Sequence, residues 1–172
     1  MSPQQPVGEL FHVCIVASDL EATMDLLSRN VGVRWTEPFA AEMPVRLAGG
    51  DAATFTPRNA YSTTFPHIEL VEARPGTLLT SDPSGGVHHM GYWVDDLASG
   101  VEDLVSRGYR AEMLGSGPPA GAGAEAADQG ADEEFRPQVF AYLLAPEGNR
   151  VELVDVAVRP RIEAWIRGES PV

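Results

Sequence analysis

Residues 11–27 and 88–104 are two versions of one segment. FHVCIVASDLEATMDLL, starting at Phe11, runs beside HHMGYWVDDLASGVEDL, starting at His88. His12 aligns with His89. Asp19 aligns with Asp96, each seven residues after its histidine, and Leu20, Met24 and Leu27 align with Leu97, Val101 and Leu104. A second pair of segments repeats as well. HIELVEA from His67 matches RVELVDV from Arg150, which sets Glu69 beside Glu152 inside equal E-L-V triplets. A repeat on this scale means that one supersecondary unit is used twice and that each copy needs the other to bury its apolar face.

Each copy has the same local signals. A short apolar strand (11–16; 88–94) leads into an amphipathic helix, after which three strands are predicted near 33–37, 45–55 and 67–73, and near 109–114, 139–145 and 150–157. The first helix is expected to start with a capping box at Ser18 and Glu21, the second with Asp95 as N-cap. Gly32 and Gly108 are suited to the left-handed turns that end them. The fold class is therefore α+β, two tandem βαβββ modules (8–74 and 85–157) in a single domain spanning 8–157, arranged as a cup-shaped mixed sheet. Residues 115–138, rich in Gly, Ala, Pro and acid, read as a flexible loop. The tail at 158–172 reads as a short helix with Ile162, Trp165 and Ile166 on one side.

Strand alternation puts His12, Glu69, His89 and Glu152 at equivalent positions. If the modules pair about a pseudo-two-fold axis, two imidazoles and two carboxylates meet in one cup. Buried carboxylates are costly unless paired or bound to a metal. This donor set suits one divalent ion and does not choose among Zn, Ni, Co, Mn and Fe. Glu152 and Glu69 are also the candidate catalytic bases, with Glu42 as a weaker positional candidate. Trp93, Tyr142, Phe140 and His67 are candidate pocket residues. Arg46, Arg58 and Arg150 could hold an anionic substrate group through the planar guanidinium fork. His88, next to His89, is expected to face away from it, and Cys14 to be a small core residue.

These residues carry a resemblance. HHMGYWVDDL, the closing YLLAPEGNRVELVD and the opening H-V-x-I-V-x-x-D-L resemble the vicinal oxygen chelate superfamily, which includes glyoxalase I, methylmalonyl-CoA epimerase, extradiol dioxygenases and the bleomycin and fosfomycin resistance proteins. The resemblance covers the chain outside 115–138 and the tail, and is strongest to the glyoxalase and epimerase branches. It implies paired βαβββ modules around a metal held at positions 12, 69, 89 and 152. Glutamate at 69 is like bacterial glyoxalase I, whereas the epimerases commonly carry glutamine there. The implied activity is that of an isomerase, epimerase or lyase that chelates vicinal oxygens of a small carbonyl substrate and stabilises an enolate. An Fe(II)-dependent oxygenase or ring-opening enzyme and a non-catalytic binding or resistance protein are the alternatives.

Charge narrows the partners. At −13 net charge the surface repels polyphosphate, so neither nucleic acid nor an anionic membrane is an expected partner. The start of the chain has no signal-peptide pattern, and one cysteine allows no intrachain disulfide. Both fit a cytoplasmic protein, expected as a homodimer.

Overall fold

A computed structural model describes residues 7–81, 86–115 and 139–169. One ten-stranded sheet dominates it. In chain order the elements are β1 (Glu9–Ala17), α1 (Leu20–Val31), β2 (Phe39–Ala40), β3 (Met43–Leu47), β4 (Ala52–Phe55), β5 (Arg58–Tyr61), β6 (His67–Glu72), β7 (His89–Val94), α2 (Leu97–Ser106), β8 (Arg110–Gly115), β9 (Phe140–Leu144), β10 (Arg150–Asp155) and α3 (Arg159–Ile166), with a 3-10 turn at Val156–Val158 before α3. The sheet order is β2-β5-β6-β1-β7-β10-β9-β8-β3-β4. β1 and β7 run antiparallel at the centre, and each pairs in parallel with the last strand of its own module, β6 or β10. This is the mixed, curled sheet expected of tandem βαβββ units.

The two modules differ in their outer strands. The second has the three strands expected after its helix. In the first, the strand expected at 45–55 is instead a hairpin, β3 and β4, because Ala48-Gly49-Gly50-Asp51 turns the chain and Gly50 sits at φ 87. The strand expected at 33–37 is reduced to a single bridge, Trp35 to Ser62. The hairpin also leaves its own module: β3 pairs with β8 of the second. Only Ala41 and Glu42 separate β2, at one end of the sheet, from β3, one strand from the other end. Two intervening residues span at most about 11 Å. The sheet must therefore curl until its ends nearly meet, and its concave face becomes a cup.

Both helices begin at the aspartates related by the repeat. Asp19 accepts from Ala22 N at 2.9 Å and Asp96 from Ser99 N at 2.9 Å. The Ser18–Glu21 box and the Asp95 cap do not form, since each helix begins one residue further on. Gly32 ends α1 in the left-handed conformation, and Gly108 (φ 93) turns left-handed directly after Arg107, the cap of α2. α2 packs on the convex face through Leu97 and Leu104, against Ala141, Leu143 and Leu153. Residues 116–138, the bulk of the loop expected at 115–138, lie outside the described residues. Among the described residues no helix is long and apolar enough to cross a membrane.

Candidate metal centre

The register of the central strands accounts for the site. Across β5, β6, β1 and β7 runs a row of Cα partners: Tyr61, Glu69, Cys14, His89. Across β1, β7, β10 and β9 runs its counterpart: His12, Gly91, Glu152, Tyr142. The rows are adjacent on one face, since His12 and Cys14 are two residues apart on β1. The pseudo-two-fold exchanges them residue for residue. Small residues, Cys14 and Gly91, stand between histidine and glutamate, and a tyrosine flanks each glutamate.

Four donor atoms converge at the floor of the cup, all from one chain. His12 Nε2 lies 3.1 Å from His89 Nε2, 3.4 Å from Glu69 Oε2 and 3.2 Å from Glu152 Oε2. His89 Nε2 lies 3.4 and 3.3 Å from the same two oxygens. Metal–ligand bonds of ~2.0–2.2 Å place neighbouring donors roughly 3.0–3.6 Å apart, so these spacings fit one ion. All four residues are buried, at 8% exposure or less. Glu69 Oε2 accepts no hydrogen bond from a described residue, although it is buried and faces the histidines. A buried oxygen left in that state implies a missing partner. A cluster of Cys14, His88 and His89 also lies within ligand range, but it shares His89 with the four-donor set; in the ion-free site burial, then Glu69, pushes the Cys14 thiol well up.

Without an ion the four groups share protons. Burial alone would lower the His12 pKa, but Glu69 and Glu152 outweigh it and hold it at about 9. His89 is raised in the same way against its own burial. The carboxylates move oppositely: burial would raise Glu69, and the histidines pull it well below the usual range. An ion must therefore displace protons to enter.

The surroundings of the donors are unequal. Asn59 Nδ2 donates to Glu69 Oε1 at 2.6 Å. His88 lies just before β7, outside the alternation of the strand, and turns toward the site: its Nδ1 is 2.8 Å from His89 Nδ1. Its Nε2 lies 2.9 Å from both the Leu78 carbonyl and Arg150 Nη1. Burial, then His89, lowers His88 to about 4, so it is neutral. Donating to Leu78 from Nε2, it accepts at Nδ1 from His89, which leaves the His89 Nε2 lone pair for an ion. A metal-binding histidine usually has its other ring nitrogen hydrogen-bonded in this way. Arg150, a donor only, favours the opposite tautomer and is itself tied to Glu112 at 2.7 Å.

Above the floor is a cavity of about 380 Å³. Tyr61, Tyr142, Phe55 and Phe140 wall it together with Met43 and Val71, while Ile162 and Trp165 of α3 close one side. Trp165 is fixed by a bond from Nε1 to the Glu37 carbonyl (3.2 Å). Glu42 and Arg161 are exposed residues of the same lining and so belong to its mouth.

Of the further residues singled out from sequence, Tyr142 and Phe140 line this cavity, as does Glu42. Five others do not. His67 bonds the Ser62 carbonyl at 2.8 Å and is not among the residues that line the cavity. Trp93 stacks on Phe11 at 4.2 Å and lies under the Arg159 guanidinium, anchoring α3. Arg46 reaches the Gly50 carbonyl in the β3–β4 turn. Arg58 pairs with Glu21 and Glu72. Arg150 stands behind His88. Their surroundings are set by tertiary contacts that alternation does not report. His88 and Asn59 had no sequence signal of a role. Tyr61 had one: Ala60-Tyr61 echoes Ala141-Tyr142 eight and ten residues before the two glutamates.

A curled βαβββ pair with two histidines and two glutamates at equivalent positions defines a single-site cup protein of the vicinal-oxygen-chelate type. The family model described as "Glyoxalase/Bleomycin resistance protein/Dioxygenase superfamily" matches residues 11–127, and the chain belongs to that superfamily. Among curated relatives, the mitochondrial methylmalonyl-CoA epimerase of Dictyostelium discoideum is 26% identical over 147 residues, covering 86% of this chain and 78% of the relative. The ethylmalonyl-CoA/methylmalonyl-CoA epimerase of Cereibacter sphaeroides is 30% identical over 118 residues, 66% and 79% of the two chains. Among solved structures, Streptomyces coelicolor methylmalonyl-CoA epimerase in complex with 2-nitronate-propionyl-CoA superposes with a TM-score of 0.53 at 18% identity, covering 87% of this chain and 98% of that one. At that identity the likeness speaks for the fold alone.

Proposed function

We propose that this chain is a metal-dependent epimerase or isomerase that moves a proton at the carbon beside a carbonyl group. The observation that carries the reading is the convergence of His12, Glu69, His89 and Glu152 at the floor of a largely apolar cavity, whose other charged or amide lining is Glu42, Asn59 and Arg161. The epimerase relatives support the reaction class. These four residues would hold a divalent ion, which when bound supplies Lewis-acid polarisation of the substrate's adjacent oxygens.

The protein's own groups do the rest. Glu69 is tethered by Asn59, and no such amide bond holds Glu152 among the described residues. Glu152, bonded by the Tyr142 phenol but by no amide, is the carboxylate we assign to take the proton from the substrate carbon. The electron pair left behind moves onto the carbonyl oxygen, giving an enolate. Glu42, at the cavity mouth, would return a proton to the opposite face, which inverts the centre. The aromatic walls exclude water, and Tyr61 and Tyr142 remain phenols because burial, then the glutamates, raises both well above the usual value.

The test is elemental analysis of untagged protein prepared without chelator, beside His89→Ala. About one ion per chain, lost in the variant, is expected. No ion after incubation with each of Zn, Ni, Co, Mn and Fe(II) would overturn the reading.

A further inference from the structure

We propose that the cup takes a compact, largely apolar α-hydroxy or α-oxo carbonyl compound, neutral or singly charged, and not a nucleotide thioester of the kind the epimerase relatives are named for. This rests on the function proposed above and names the substrate class.

The walls set the first limit. The cavity has the volume of a pocket that encloses a small ligand, at the lower end of the roughly 300–1,000 Å³ range. Phe55, Tyr61, Phe140, Tyr142, Ile162 and Trp165 give it an aromatic and aliphatic lining suited to an aryl or branched alkyl group. α3 is fastened in place by Trp165 to Glu37 and by Arg159 to Glu9 at 2.7 Å, so this side is a wall of the folded chain.

Charge sets the second. The charged residues lining the cavity are Glu42, Glu69, Glu152 and Arg161. Three carboxylates against one guanidinium and a bound divalent ion leave the loaded cavity near neutrality. It therefore has no surplus of positive charge for a polyanion.

The third concerns what lies outside the cup. A coenzyme A thioester carries three phosphate groups that need cations. The chain contains no lysine and twelve arginines, in a protein of net charge −13. Seven of those arginines are paired with the chain's own carboxylates: Arg29, Arg58, Arg107, Arg110, Arg150, Arg159 and Arg167. The unsatisfied need of three phosphates meets an acidic surface whose cations are mostly committed.

The probe is (R)-1-hydroxy-1-phenylpropan-2-one, which has vicinal hydroxyl and carbonyl oxygens, an aryl group and one stereocentre. Removal of its carbinol proton sends the bonding pair into an enediolate, and reprotonation on either face restores the ketone, so the reaction is redox-neutral and needs no co-reactant. Cobalt-loaded full-length protein is incubated with it in D2O, with loss of optical activity followed by circular dichroism and deuterium uptake by mass spectrometry. Methylmalonyl-CoA is run in parallel. The expected result is racemisation with deuterium uptake and a kcat/KM at least 100-fold above that for methylmalonyl-CoA. Ile162→Trp, which fills the cavity, should raise KM for the aryl probe at least tenfold with cobalt content unchanged; unchanged KM overturns the placement. A higher kcat/KM for methylmalonyl-CoA overturns the substrate class and leaves the proposed function standing. Exchange with neither compound while cobalt is bound overturns both.

Discussion

The two modules place the same donors on the same register and then surround them differently. Behind His89 stand polar groups: His88, Arg150 and Glu112, with the Leu78 carbonyl closing the set. Behind His12 stands Phe11, ring edge to ring face at 4.6 Å, and His12 Nδ1 is buried with no partner among the described residues. His89 is flanked on its row by Cys14, His12 by Gly91. One histidine is oriented by hydrogen bonds and the other by shape. A duplicated unit can thus hold its donors in common while the two supports diverge, because an ion needs only the donor atoms to be placed.

Four expected outcomes would break or sharpen that comparison. The largest effects come from removing a donor: His12→Ala and His89→Ala should each weaken metal binding by more than about 100-fold in a competition titration, beyond the roughly 10–100-fold typical of changing a residue that only supports a ligand. Equal losses mean that the two supports serve equal ligands; retention in either variant breaks the pairing. Next is the small residue between the donors. A Cβ at Gly91 would stand 2.1 Å from His12 Cε1. Gly91→Ala should therefore displace the ring and lower affinity nearly as far as His12→Ala. Cys14→Ala, at the equivalent position, removes only a sulfur and should leave the ion in place. His88→Phe, which makes the second module resemble the first, should lower affinity about 10–100-fold and alter the visible absorption of the cobalt form. An unchanged spectrum and affinity would show that shape alone orients His89. The smallest effect is at the helix caps. Asp19→Ala and Asp96→Ala should each cost about 1 kcal/mol in denaturant unfolding, Asp96→Ala the more, because its carboxylate also accepts from Ser99 Oγ.

A pH titration addresses both histidines together. His12 is protonated in the ion-free site up to about pH 9. Metal affinity should therefore climb as pH rises toward 9, with proton release on binding at pH 7 that calorimetry in buffers of different ionisation enthalpy would detect. The sign for stability is opposite. A raised histidine stabilises the ion-free fold below its ordinary value of 6.5, and that contribution is lost as pH rises through about 9. Affinity independent of pH between 6 and 9 would contradict the shared-proton account.

The sequence carried the duplicated frame because the frame is local. A histidine in a strand, an aspartate seven residues on and a glutamate in an E-L-V triplet are periodic features, and they locate β1, β7, both helices, β6 and β10. What it did not carry is set by contacts between distant segments. The Gly49-Gly50-Asp51 turn was legible in principle, but nothing nearby says that β3 will cross to β8. Arg58 and Arg150 were equally good candidates for substrate contact until Glu21 and Glu112 claimed them. His88 escaped because alternation holds only inside a strand, and β7 begins one residue later. α3 was foreseen as a short helix with Ile162, Trp165 and Ile166 on one side; that Ile162 and Trp165 wall the cavity depends on where the curled sheet leaves room.

The crossing of β3 to β8 also bears on the order in which the chain can assemble. During synthesis the first module emerges with its hairpin unpartnered, and residues 43–47 must wait for 110–115 before that edge is covered. β1 likewise waits for β7. Such pairings are non-local and are expected to fold slowly. The donors at 12, 69, 89 and 152 span nearly the whole described chain, so no early fragment can hold an ion with all four. Metal binding would then report completion of the fold, and free metal present during refolding should raise the yield of the finished sheet rather than speed its first steps.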